Sequence, residues 1–227
     1  MEPNELARYL DQTLLDPKVG LAGGRSWIEA NRGEGFASLC VSPFLAPIAA
    51  EVLRGTITAA CSVVAFPLGY ATTDAKVSEA TSLANAGVHE IDMVINVGAV
   101  LEDDYDYVAR DVAAVVHATA TASGGLGLVK VILETGYLDD SQIRRASAVC
   151  ARAGARFVKT STGFGPRGAS VSDVRIMRDA VGPDVGVKAS GAIRDLASAL
   201  AMIEAGATRI GTSSGSSILE AARASRT

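Results

Sequence analysis

The chain has 227 residues, 48% hydrophobic and 20% charged, with a formal net charge of -4 and an acidic pI. A chain of this size buries a substantial core. Its acidic balance, without a basic run, excludes a general binder of nucleic acid or acidic membrane, which needs clustered Lys and Arg.

The opening segment, "MEPNELARYLDQTLL", carries acids early and has no positive stretch followed by an apolar block. It does not resemble a secretory signal, so the expected location is the cytoplasm. Cys40, Cys61 and Cys150 are three in number, widely spaced and without a CxxC pair. They predict buried thiols in place of a disulfide framework or zinc site.

Eight apolar runs follow one another as "RYLDQT", "FASLCVS", "TAACSVVAF", "HEIDMVIN", "GLVKVILE", "RFVKTS", "VGVKAS" and "RIGTS". Most lead into Gly, Pro, Ser, Thr or Asp and then a helical stretch. Strands alternating with helices imply parallel pairing, and eight such units predict a closed (β/α)8 barrel. The expected organisation is one domain over residues 1–227, with the first few residues and the C-terminal tail at its periphery. An open doubly wound sheet is the alternative, although no G-x-G-x-x-G follows an early strand.

The least charged window, Val112 to Val129, has about the length of a membrane span but contains His117, hydroxyl residues and a Gly pair, and reads as helix, turn and strand. Three segments, "LANAGVHEIDMV", "CARAGARFVKTS" and "MIEAGATRIGTS", repeat a helix-to-strand corner. Gly87, Gly154 and Gly206 fit the position just past a helix, where a left-handed backbone favours glycine.

The two-residue period of a strand sorts side chains between faces. If Ile91, Met93 and Ile95 pack under helices, Asp92 points into the barrel. Lys159, Lys188 with Gly186 and Ser190, and Lys130 follow by the same rule. Taken singly, each charge reads as part of a satisfied ion network, but several together near one end of a barrel point to chemistry. Lys159 and Lys188 end adjacent strands, so their ammonium groups repel, and desolvation adds to that effect. One amine is expected to be partly neutral near physiological pH, and a neutral amine attacks carbonyls. The pair suggests imine formation, with Asp92 and the second lysine moving protons through a bound water. Lys130 competes for either role. It sits further from its strand end and is expected to be a buried partner of Asp92 or Glu134.

The loops "STGFGPRG", "SGAIRD" and "GTSSGSSILE" gather Thr162, Gly163, Gly191, Ala192, Gly211, Ser213 and Ser214 at that same end. Backbone N–H groups and a helix dipole there can hold a phosphate. His89 and His117 lack a triad or metal pattern and read as structural. Cys40 faces the site or packs as a thiol, with packing favoured.

Together, "LDQTLL", "LCVSP", "EIDMVIN", "KVILETG", "VKTSTGF", "VKASGAIRD" and "RIGTSSG", in this order from about Leu10 to Glu220, resemble deoxyribose-phosphate aldolase, a class I aldolase family with a (β/α)8 barrel. The resemblance implies reversible cleavage of 2-deoxy-D-ribose 5-phosphate to acetaldehyde and D-glyceraldehyde 3-phosphate, with no metal or other cofactor. Lys159 matches the Schiff-base lysine, and Asp92 and Lys188 match the proton-relay pair. Asp11 and Thr13 match positions near the substrate hydroxyls, while Gly163, Gly191, Ser213 and Ser214 match phosphate-facing loops. Expected partners are the phosphorylated sugar and acetaldehyde, with a homodimer as the candidate assembly and neither nucleic acid nor membrane. Departures are Gln12 where many members carry histidine, Asp16 where lysine is common, and Ala192 where a second glycine is usual. Phe164 follows the commoner bacterial form, leaving Arg194 as a source of positive charge. Two alternatives remain: a phosphate-binding barrel isomerase without a covalent intermediate, and a barrel that binds a sugar phosphate without turnover.

Overall fold

The structure is a computed structural model in which residues 1–225 are described. Short α1 (Pro3–Ala7) leads into β1 (Leu10–Leu14), α2 (Leu21–Asn31), β2 (Ser38–Val41), α3 (Ala46–Val52) and β3 (Ala59–Val64). Next come α4 (Thr73–Asn85), β4 (Glu90–Val94), α5 (Val97–Leu101), α6 (Tyr105–Ala122) and β5 (Leu128–Ile132). The last part holds α7 (Asp140–Arg152), β6 (Phe157–Lys159), α8 (Val171–Val181), β7 (Gly186–Ser190), α9 (Leu196–Glu204), β8 (Arg209–Thr212) and α10 (Gly215–Ala224). Each strand pairs in parallel with the next, and β8 pairs with β1, closing the barrel that the sequence predicts. The open-sheet alternative is thereby removed.

Two cores follow from the strand period. Between barrel and helices, Ile91, Met93, Val131, Val158, Val187 and Ile210 are all buried and apolar. Burying side chains of this size contributes about 1.5–3 kcal/mol each. Inside the barrel the other face of the same strands carries charge, described below. Helix starts are chemically marked: Thr72, Asp139, Ser170 and Asp195 accept from first-turn N–H groups of α4, α7, α8 and α9. At Asp139 the partner Gln142 completes a reciprocal capping box.

The three repeated corners are as expected. Gly87, Gly154 and Gly206 follow the capping residues Ala86, Ala153 and Ala205 with φ of 91°, 97° and 111°. That geometry turns each helix back into a barrel strand without a Cβ clash. At the N-terminus, Met1 and Glu2 are exposed, whereas Leu6 and Ala7 are buried in the main core. The end of the C-terminal tail lies outside the described residues. No helix among the described residues is long and apolar enough to cross a membrane.

Candidate active site

Strands β4 to β8 and β1 send a continuous ionic network into the barrel. Asp92 Oδ2 accepts from Lys159 Nζ at 2.8 Å and from Lys188 Nζ at 2.7 Å. Its Oδ1 accepts from Lys130 Nζ at 2.9 Å and from the Cys61 thiol at 3.4 Å. Asp11 receives Lys188 at 2.6 Å, Arg209 at 2.6 Å and Lys130 at 3.2 Å. Glu90 receives Lys130 at 2.6 Å and Arg209 at 2.9 Å. Four cations thus face three carboxylates among the described residues. Lys159 touches one carboxylate, Lys188 two and Lys130 three.

Burial pushes the Asp92 carboxyl up, but Lys130, Lys159 and Lys188 outweigh it and hold the group well below the usual carboxylate range. Asp11 is lowered in the same way, with desolvation opposed by Lys130, Lys188 and Arg209. Lys188 is raised despite burial, because Asp11 and Asp92 stabilise its cation. Lys130 is raised despite burial by Asp11, Asp92, Cys61 and Glu90. These directions modify the expectation drawn from crowding alone. A carboxylate oxygen stands between Lys159 and Lys188 and offsets their repulsion, so Lys188 is held charged.

Above this network lies a cavity of about 660 Å³. Its lining includes Lys159, together with Thr13, Thr162, Gly163, Gly191, Ala192, Gly211 and Ser213. Lys159 is the network lysine that reaches this lining. Asp11, Cys40, Asp92 and Lys188 lie beneath the cavity rather than on its wall, each at most 1% exposed. The Asp11 carboxylate is held in the floor by Lys188, Arg209 and Lys130. Ser214 stands just beyond the lining, at the start of α10. Gly211 is small for a direct reason: a Cβ there would meet Lys188 Cε at 2.9 Å.

The rim carries polar and charged groups. Lys18 and Arg194 both line it, and Lys18 pairs with Asp16 at 3.7 Å. At the start of α10, two backbone donors are engaged within the protein. Ser214 N–H donates to Thr212 Oγ1 at 2.9 Å, and Gly215 N–H donates to Gln12 Oε1 at 2.9 Å. Ala192 adopts φ of 63°, the left-handed conformation that suits a glycine. Thr162 is held from below: the Glu134 carboxylate accepts its N–H at 3.2 Å and its hydroxyl. Glu134 therefore anchors the loop after β6, and Lys130 pairs with Asp92, Asp11 and Glu90. Phe164 stands edge-on against Phe66 at 5.5 Å.

Glu90, Arg209, Lys18 and Glu134 were not singled out as site residues from sequence. The strand period contained the first two, since Glu90 precedes Asp92 by two residues and Arg209 precedes Gly211 by two. Glu134 is named in the sequence only as a candidate partner of Lys130, and no local pattern marks its bonds to Thr162. His89 and His117 are exposed and stand apart from the cavity. All three cysteines are free and buried. Burial pushes the Cys150 thiol up to about 12. Burial also raises Cys61, while hydrogen bonding to Cys61 lowers Cys40. Cys40, Cys61 and Asp92 offer ligand atoms within 4.8 Å of one another. Lys130, Lys159 and Lys188 already bind that carboxylate, so a divalent cation there would meet three ammonium charges at close range.

Residues 35–221 match the model of the DeoC/LacD family aldolases. The deoxyribose-phosphate aldolase of Streptococcus sanguinis is 49% identical over 221 residues, covering 97% of this chain and 98% of its own. That of Enterococcus faecalis is 46% identical over 218 residues, covering 96% and 97%. Among solved structures, the aldolase QR15 superposes with a TM-score of 0.90 at 37% identity, covering 97% of each chain. The tetrameric deoxyribose phosphate aldolase of Aeropyrum pernix gives 0.87 at 34% identity, covering 98% of this chain and 92% of that one. The chain belongs to the DeoC/LacD aldolase family, alongside its deoxyribose-phosphate aldolases.

Proposed function

We propose that the chain cleaves 2-deoxy-D-ribose 5-phosphate reversibly to acetaldehyde and D-glyceraldehyde 3-phosphate, through an imine on Lys159. One observation carries the assignment of the nucleophile: Lys159 is the network lysine that opens on the cavity, and it has a single carboxylate contact. Lys130 and Lys188 are more heavily paired and are held charged below it.

Attack by the Lys159 nitrogen on the C1 aldehyde gives a carbinolamine, and acid-assisted loss of water gives the protonated imine. The C3 hydroxyl then yields its proton to a base. The C2–C3 bond breaks, its electron pair moves into the imine, and glyceraldehyde 3-phosphate departs with a new carbonyl at C3. The remaining enamine takes a proton at C2, and hydrolysis of the resulting imine frees acetaldehyde and the amine.

Asp92 and Lys188 fit the proton transfers because one carboxylate oxygen touches both amines, at 2.8 and 2.7 Å. Conversion of Lys159 to a neutral carbinolamine removes one of the three charges that depress Asp92. The carboxylate is thereby a stronger base while the carbinolamine forms and loses water, when protons pass between nitrogen, hydroxyl and water. Lys188 remains as the cation beside it. The cavity rim, with Lys18, Arg194, Gly191, Ala192 and Ser213, is suited to the phosphate end of the sugar. The curated relatives favour the aldolase over an isomerase without a covalent intermediate.

The test is steady-state release of acetaldehyde from 2-deoxy-D-ribose 5-phosphate by wild type and Lys159→Leu. Loss of all measurable cleavage in a folded variant is expected. Retained cleavage rejects Lys159 as the nucleophile, and no cleavage by the wild type favours a binding protein.

A further inference from the structure

We propose that Gln12 is a positioning residue for the phosphate end of the substrate, acting through the first turn of α10. This inference rests on the aldolase reading above. Gln12 lies on β1 between Asp11 and Thr13, so the strand period turns it away from the barrel interior and toward the helical layer. It is 4% exposed, and both ends of its amide are used. Oε1 accepts the Gly215 N–H at 2.9 Å, and Nε2 donates to Asn31 Oδ1 at 3.4 Å. The Ser216 hydroxyl also donates to Asn31 Oδ1, at 3.3 Å, while Asn31 Nδ2 donates to the Trp27 carbonyl at 2.8 Å. One side chain from the first strand therefore ties α10 to α2 across 203 residues of sequence.

The tie replaces an ordinary cap. Ser214, which precedes α10, makes no side-chain capping bond. The first N–H of the helix is instead met by Gln12, and the close fit is visible at Gly215, where a Cβ would lie 2.7 Å from Gln12 Oε1. Immediately before that turn stand Gly211, Thr212 and Ser213, which line the cavity opposite Gly191 and Ala192. Fixing Gly215 fixes the exit of this wall. Gln12 touches neither Lys159 nor Asp92, so the amine chemistry is separate from the tie. A side chain that can both accept and donate is needed, which the amide supplies and a neutral imidazole could also supply.

The experiment measures kcat and KM for 2-deoxy-D-ribose 5-phosphate and for unphosphorylated 2-deoxy-D-ribose, in wild type and in Gln12→Leu, Gln12→Asn and Gln12→His. Gln12→Leu is expected to raise KM for the phosphate ester by about 3- to 10-fold, the effect of losing the hydrogen bond to the Gly215 N–H. Its kcat on the ester, and both constants on the unphosphorylated sugar, should stay within about twofold. Gln12→Asn withdraws the amide by one methylene and should give the same split, providing the test if Gln12→Leu does not fold. Gln12→His should restore KM toward wild type. An unchanged KM for the ester, or equal loss on both sugars, overturns the proposal while leaving the aldolase reading intact. A wild type that does not cleave the ester, or shows no preference for it over the free sugar, overturns the underlying reading and the proposal together.

Discussion

Replacing Lys188 by Met leaves a side chain of similar reach in the barrel but removes the ammonium that joins Asp11 to Asp92. Two charge-assisted hydrogen bonds are lost, at 2.6 and 2.7 Å. Bonds to charged groups contribute about 1.5–3 kcal/mol each, and breaking a buried pair typically costs about 3–5 kcal/mol. Asp11 keeps Arg209 and Lys130, and Asp92 keeps Lys130 and Lys159, so the lower end applies. Destabilisation of about 3 kcal/mol is expected, which lowers Tm by roughly 6–12 °C for a chain of this size. Asp11→Asn alone is also destabilising, because it leaves the four cations facing two carboxylates. The double variant matches the two losses and should recover at least about 1 kcal/mol relative to the sum of the singles. Urea unfolding at pH 7 supplies the four free energies. Activity follows a different course: kcat should fall by about 10²- to 10⁴-fold in Lys188→Met and stay low in the double variant. Additive stabilities, within about 0.3–0.5 kcal/mol, would refute the direct coupling of these two residues.

Two further outcomes are expected. Ala192→Gly relieves a left-handed alanine, worth about 1–2 kcal/mol, against the entropy of glycine at about 0.5–1 kcal/mol; a net gain of about 0.5–1 kcal/mol in urea unfolding is expected, and a loss contradicts the assigned strain. The lowered Asp11 and Asp92 contribute stability that is complete above the ordinary aspartate pKa, near 3.9, and is lost as pH falls through their folded values. The raised Lys130 and Lys188 contribute stability that is complete below about pH 10.4 and is lost as pH rises through their folded values. The stability difference between wild type and Asp11→Asn should therefore hold constant from pH 5 to 9 and shrink below about pH 4. A change within pH 6–9 contradicts these charge states.

The barrel was legible because its two faces differ chemically. Ile91 and Met93 alternate with Asp92, and the same two-residue period carried Lys130, Lys159 and Lys188 to the interior. Helix-to-strand corners were legible in Gly87, Gly154 and Gly206, because a left-handed backbone selects glycine locally. Depth along the barrel axis was not. Asp11 is level with Gly211 in the hydrogen-bond ladder, yet it contacts Lys188 and Lys130 in the floor. Strand tilt and stagger separate ladder register from axial height, and neither is encoded in a local pattern. The balance of charges was likewise hidden, since Asp11 and Lys188 lie 177 residues apart and Asp92 bridges both lysines. The α10 start illustrates a second limit on local patterns. A helix beginning with Ser and Gly predicts free amides, but Thr212 and the distant Gln12 already take those of Ser214 and Gly215.

Reduction with borohydride in the presence of acetaldehyde tests the central claim most directly, because it converts a transient imine into a stable secondary amine at the nitrogen that formed it. Peptide mapping by mass spectrometry should find one ethyl group, on Lys159, with loss of activity in proportion to its occupancy. No ethylation, or ethylation confined to Lys130 or Lys188, would contradict the claim that the lysine opening on the cavity is the nucleophile.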